Sequence, residues 1–125
     1  WTSGDPNILF LGGIFDQEIL QNLRYFSRGL FHGHSVGGTN PSLLEAMAPG
    51  STIVAHDNPY NRYITGNEAL YFKSASGITE ILRKQDDPAK LKKFREINLD
   101  KIRKDYQWNE VVKKYEDLFL RLVEE

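Results

Sequence analysis

The chain contains no cysteine, which excludes a disulfide framework and a thiolate metal site. It has no long apolar run either, and no stretch approaches the ~18 residues of a membrane span. A dominant charge is also missing. The 16 Lys and Arg against 17 Asp and Glu leave a formal charge of -1. That balance gives no global preference for nucleic acid or acidic lipid. Repeats, low-complexity tracts and a domain linker are not found. The opening Trp1-Thr-Ser-Gly-Asp-Pro6 places no basic region ahead of an apolar one, so it is unlike a signal peptide. It reads as a turn leading into a strand, or as the scar of a shortened chain. What remains is an ordinary globular composition over 125 residues, enough for one domain with one core.

The pattern along the chain alternates strand and helix. Asn7 to Gly12 is a short continuous apolar run, as in a strand buried on both faces. Asp16 is placed to cap a helix from Gln17 to about Phe26, with Ile19, Leu20, Leu23 and Phe26 at helical spacing. Leu30–His34 and Thr52–His56 read as strands, with a Pro41–Ala48 helix between them. Asp57 to Arg62 has turn chemistry, and Ala69–Phe72 reads as a short fourth strand. From Ser76 the chain turns helical: Ser76–Lys84, then a helix capped by Asp87 and started by Pro88, then a last one from about Asn109. Leu91, Phe94, Ile97 and Ile102 stripe the second of these. Val112, Tyr115, Leu118, Phe119 and Leu122 stripe the third. Strand–helix alternation predicts an α/β fold, a Rossmann-like parallel sheet flanked by helices.

The run His34-Ser-Val-Gly-Gly-Thr-Asn-Pro-Ser-Leu-Leu-Glu-Ala-Met-Ala-Pro-Gly50 carries the most information. It reads as a strand end, a glycine turn and a helix that opens sharply. Gly37 and Gly38 allow positive φ and close approach to a ligand. Asn40 and Pro41 suit an N-cap and a first helical position. The backbone N–H groups of Gly38, Thr39 and Asn40 are candidates for cradling a diphosphate. The bland account is a tight strand-to-helix connection that merely needs glycine. Glu45 lies about one turn into the helix, within reach of a sugar hydroxyl. The competing account is a capping box with Ser42.

Other polar residues have two readings as well. His32 and His34 share a strand face and could hold a metal, but no third ligand is evident. Otherwise they are strand-end histidines, and His34 stands beside the glycine turn, where it could touch a donor. Asp57 is a turn residue or a ligand contact. Arg62, with Asn58 and Asn61, is a solvated loop cation or a partner for a pyrophosphate. The basic stretch Lys90 to Lys104 is interrupted by Glu96 and Asp100 and reads as a solvated helix face, not a nucleic-acid surface. Contact with anionic lipid is the lesser alternative.

Leu43-Leu-Glu-Ala-Met-Ala-Pro-Gly50, Thr52-Ile-Val-Ala-His-Asp57, Glu68-Ala-Leu-Tyr-Phe72 and the tail Tyr106-Gln-Trp-Asn-Glu110 lie in collinear order. Together they resemble the donor-binding domain of group 1 glycosyltransferases of the GT-B fold. Gly33-His-Ser-Val-Gly-Gly-Thr-Asn-Pro-Ser-Leu-Leu-Glu45 is similar, more narrowly, to the rhamnosyltransferase-like subgroup of polysaccharide synthesis. The resemblance implies that Glu45 binds the nucleotide ribose and that His34 and Gly37 line the donor-sugar side. The family's other glutamate, used near the donor sugar, would fall at Gly37 and is absent. The family's phosphate-gripping Arg and Lys belong to an earlier segment.

The expectation is therefore that residues 1–125 form the C-terminal part of a donor-binding domain, a fragment inactive alone. Its parent would transfer a sugar from a nucleoside-diphosphate sugar to a glycan or lipid-linked acceptor held by a missing N-terminal domain. The resemblance requires no metal or other cofactor. It implies a cytoplasmic protein, peripheral at the inner membrane face if attached there. A sheet cut short would expose an edge able to pair with another copy. The alternative expectation is a Rossmann-like module that binds a nucleotide without chemistry, or an interaction domain whose glycine turn is only structural.

Overall fold

A computed structural model describes residues 4–84 and 87–123. Along the chain run α1 (Gln17–Phe26), β1 (Leu30–His32), α2 (Pro41–Met47), β2 (Ile53–His56), α3 (Pro59–Thr65), β3 (Leu70–Phe72), α4 (Ala75–Arg83), α5 (Pro88–Asp105) and α6 (Trp108–Val123). Trp1 to Ser3, the head of the expected opening turn, lies outside the described residues. The fold is α/β, with an open three-stranded sheet in the order β1-β2-β3. Both pairings are parallel, with Phe31 beside Val54 and Val54 beside Leu70.

Alternation along the strands gives the sheet two unlike faces. Ile53 and Ala55 point to one face, where Leu43, Ala46 and Met47 of α2, Ile64 of α3 and Ala69 form the buried core. Leu30, Tyr71 and Ile102 pack against it. Buried Asn98 of α5 donates to the Glu68 carbonyl at 2.8 Å, which ties α5 to the approach of β3. The opposite face is an open groove of about 560 Å³ that includes Phe31, Val54 and Leu70. Phe31 is 48% exposed there. The expected flanking by helices is thus heavier on one face than on the other.

Caps fix most helix starts. Asp16 accepts from the Ile19 amide, Asn40 from Ser42, Ser74 from Gly77 and Asp87 from Ala89. Two expectations need correction. Asn7–Gly12 is not a strand. Asp5 takes up the Asn7 and Ile8 amides in a turn, and Gly12 leaves the extended region at φ +69. The run stays exposed, Leu9 at 80%. The expected four-stranded sheet is consequently three-stranded. Asp57–Arg62 is not simply a turn either, because a helix begins within it. Asn58 caps that helix through the Asn61 amide, Pro59 occupies the first turn, and Gly66 ends it at φ +61. The apolar side chains of α6 are largely exposed, and the helix packs against α5. Among the described residues no helix is long and apolar enough to cross a membrane.

Candidate functional site

Ligands of open parallel sheets bind beyond the carboxyl ends of the strands. Three of the expected residue groups meet at that edge. The loop after β1 carries His34, Gly37, Gly38 and Thr39. The start of α2 carries Asn40 and Pro41, and α3, following β2, contributes Tyr60 and Asn61. Together with Val36 they line a cavity of about 110 Å³. It is smaller than the roughly 300 Å³ of an ordinary small-molecule pocket.

The loop is held from behind by two asparagines. Asn58 Nδ2 and Asn61 Nδ2 each donate to the His34 carbonyl at 3.0 Å. Asn61 Nδ2 also donates to the His56 carbonyl at 2.9 Å. A single buried amide thus joins the ends of β1 and β2. Asn58 and Asn61 entered the sequence reading only as polar loop residues. The signal was there in the Asn-Pro step, which announces an N-cap. Nothing in the sequence announces the bonds back to His34.

Gly37 sits at φ +123, and a Cβ at Gly37 or Gly38 would meet no atom within 4 Å. The turn is therefore open to one side and not wedged against a neighbour. Among the described residues, the amides of Gly38, Thr39 and Asn40 donate no hydrogen bond. The Asn40 side chain accepts from both the amide and the hydroxyl of Ser42. That leaves no capping box for Glu45.

Glu45 does not line this cavity. It is exposed, and its Oε2 is held by Arg24 Nη2 of α1 at 2.9 Å. Oε1 makes no bond among the described residues. Arg24 is nearly buried, and its Nη1 has no partner among the described residues.

His32 is 3% exposed and its ring stacks on His34 with centroids 4.7 Å apart. Burial, and secondarily the neighbouring His34, pulls its pKa below the ordinary 6.5. Its Nε2 is buried without a partner among the described residues. Among the described residues no three His, Asp or Glu side chains are grouped to hold a metal ion. Asp57 and Arg62 pair with each other. The Arg62 hydrogen bond holds the Asp57 carboxyl below its usual range. Arg62 also lies over the Tyr71 ring, 4.2 Å from its centroid, and Lys73 approaches Asp57 at 3.7 Å. This cluster is distinct from the glycine-loop cavity. Lys101 of the basic stretch donates to the Tyr63 carbonyl at 2.7 Å.

Comparison of the chain with protein-family profiles, with curated proteins and with solved structures finds no match in any of the three.

Proposed function

We propose that the chain forms the donor-side wall of a nucleotide-sugar glycosyltransferase of GT-B type. In this reading the Gly38, Thr39 and Asn40 amides bind the diphosphate and stabilise it as it leaves with the bonding electrons. Glu45 accepts from a ribose hydroxyl through Oε1 while Arg24 holds Oε2. His34 and Gly37 border the transferred sugar, and the acceptor is a glycan or lipid-linked saccharide bound by another part of the parent. The carrying observation is the cavity at the carboxyl edge of the sheet, flanked by three amides that donate no hydrogen bond among the described residues. One wall of this kind would by itself bind a donor weakly and transfer nothing.

A second reading, a nucleotide-binding module without chemistry, draws on Gly37, which puts no carboxylate where the transferred sugar would sit. Titration with uridine diphosphate and thymidine diphosphate, followed by amide NMR shifts, tests the shared part of both readings. Shifts at Gly38, Thr39 and Asn40 are expected, weakened by Glu45→Ala. Unmoved amides at saturating nucleotide would reject both. Sugar transfer by the protein with its acceptor domain present separates the enzyme from the module.

A further inference from the structure

We propose that the free edge of β3 takes up an extended acidic peptide as an additional strand. This does not depend on the donor-site reading and concerns the far edge of the sheet. β3 is the outer strand. The Phe72 carbonyl accepts from the Asp57 amide at 2.8 Å, so Leu70 and Phe72 direct their backbone groups to β2. Strand alternation then turns the N–H and C=O of Tyr71 outward. Neither makes a hydrogen bond among the described residues. An outer strand with unpaired groups is a template for a further strand.

A groove of about 530 Å³ runs along this edge, walled by Ala69–Ser74 on one side and α4 on the other. Leu70, Phe72 and Ile81 supply apolar lining for alternate side chains of a guest. Lys73, Lys84 and, from the start of α5, Lys90 are exposed around it, against one carboxylate among the described lining residues, Glu80. Lys73 reaches Asp57 only at 3.7 Å, and Lys90 lies over the Phe94 ring at 5.3 Å. The charge decides the occupant. Two copies of this edge laid together would bring lysines face to face, which disfavours self-pairing. A guest with carboxylates at alternate positions would place them opposite the lysines, while its backbone pairs with Tyr71.

The test uses the full chain and a fluorescein-labelled peptide of alternating Glu and Val. Anisotropy should report binding, and the Tyr71 and Lys73 amides should shift. The same peptide N-methylated at alternate residues should lose binding, because it cannot form the ladder. The Lys84→Glu, Lys90→Glu double variant should bind about tenfold more weakly, since both substitutions reverse complementary charges. A Lys-for-Glu version of the peptide should not bind. Equal affinity for that cationic version, persistence after N-methylation, or no binding of the acidic peptide would each overturn the proposal. So would Tyr71 protection by dimerisation without peptide, which would put a second copy in the groove. The peptide comparisons need no variant, so they decide the matter even if the double variant does not fold.

Discussion

Arg24 of α1 grips Glu45 of α2 through one hydrogen-bonded ion pair of 2.9 Å. Ser51 adds a bond to the Arg24 carbonyl at 2.9 Å. None of the α1 residues is buried, so these two contacts do much to fasten the helix. The partners are unequal: the guanidinium is nearly buried, the carboxylate half exposed. Removing the carboxylate leaves a desolvated cation unpaired. Glu45→Ala should therefore destabilise by about 1 kcal/mol, on the scale of a partly screened pair. Adding Arg24→Met should restore part of that loss. Urea denaturation of both variants checks it, and a double variant weaker than Glu45→Ala would refute this account.

The same pair bears on the donor site. If Glu45 serves a ribose, Arg24→Met frees the carboxylate to wander and should weaken nucleotide binding, although Arg24 lies outside the glycine-loop cavity. NMR titration of the variant with uridine diphosphate measures this. Affinity equal to the parent chain would show that the carboxylate does not need its anchor.

His32 supplies a pH test. Its folded-state pKa lies below the unfolded 6.5, chiefly through burial. Between the folded value and 6.5 the unfolded chain binds the extra proton, so stability falls as pH drops through that window. Above 6.5 the residue is neutral in both states and contributes no slope. His32→Gln should flatten the stability profile below pH 6.5, read from urea midpoints at successive pH values. An unchanged slope would mean that His32 takes its proton without unfolding.

Asn61 is buried and satisfies two carbonyls from different strand ends. Asn61→Ala leaves the His56 carbonyl without that donor and should cost about 2 kcal/mol. It should also loosen the loop after β1, visible as faster amide exchange at Gly37 and Gly38. Asn58 still donates to His34, so the loop should not detach altogether. A loss of stability without any change at the glycines would separate the latch from the cavity.

Much of this was legible where short-range chemistry decides. Asp16, Asn40 and Asp87 cap helices because their side chains reach an amide two or three residues on, and no distant contact is needed. β1 and β2 are visible because Leu30, Ile53 and Ala55 face the core and the apolar Phe31 and Val54 alternate with them on the other face. The helix after Asn58 was obscured by Tyr60, Asn61, Arg62 and Tyr63, which make no apolar stripe. Its buried residues are Asn61, Ile64 and Thr65, and two of these are polar. Asn7–Gly12 misled for the opposite reason. Its apolar residues suit a strand, but a strand exists only with a ladder partner. Locally, Asp5 and Gly12 impose other geometry. The partnership of Glu45 with Arg24 depends on how α1 lies against α2, which no spacing encodes.

Gly66 ends α3 at φ +61, and Asn67 follows at φ +66. Two successive left-handed residues turn the chain toward β3, and the Gly66 amide closes the helix on the carbonyls of Arg62 and Tyr63. A Cβ at Gly66 would meet only the flexible end of Lys101, with Nζ at 3.8 Å. Steric clash therefore contributes little, and a substitution there reports the backbone conformation itself. Gly66→Ala should cost about 1 kcal/mol, the penalty of placing an L-residue with a Cβ in that region. Gly66→Asn should cost less, because Asn tolerates the left-handed region better than Ala. Urea midpoints should rank the parent chain above the Asn variant and the Asn variant above Ala. Ala matching the parent chain would mean that the helix ends by another route, with the turn toward β3 reorganised.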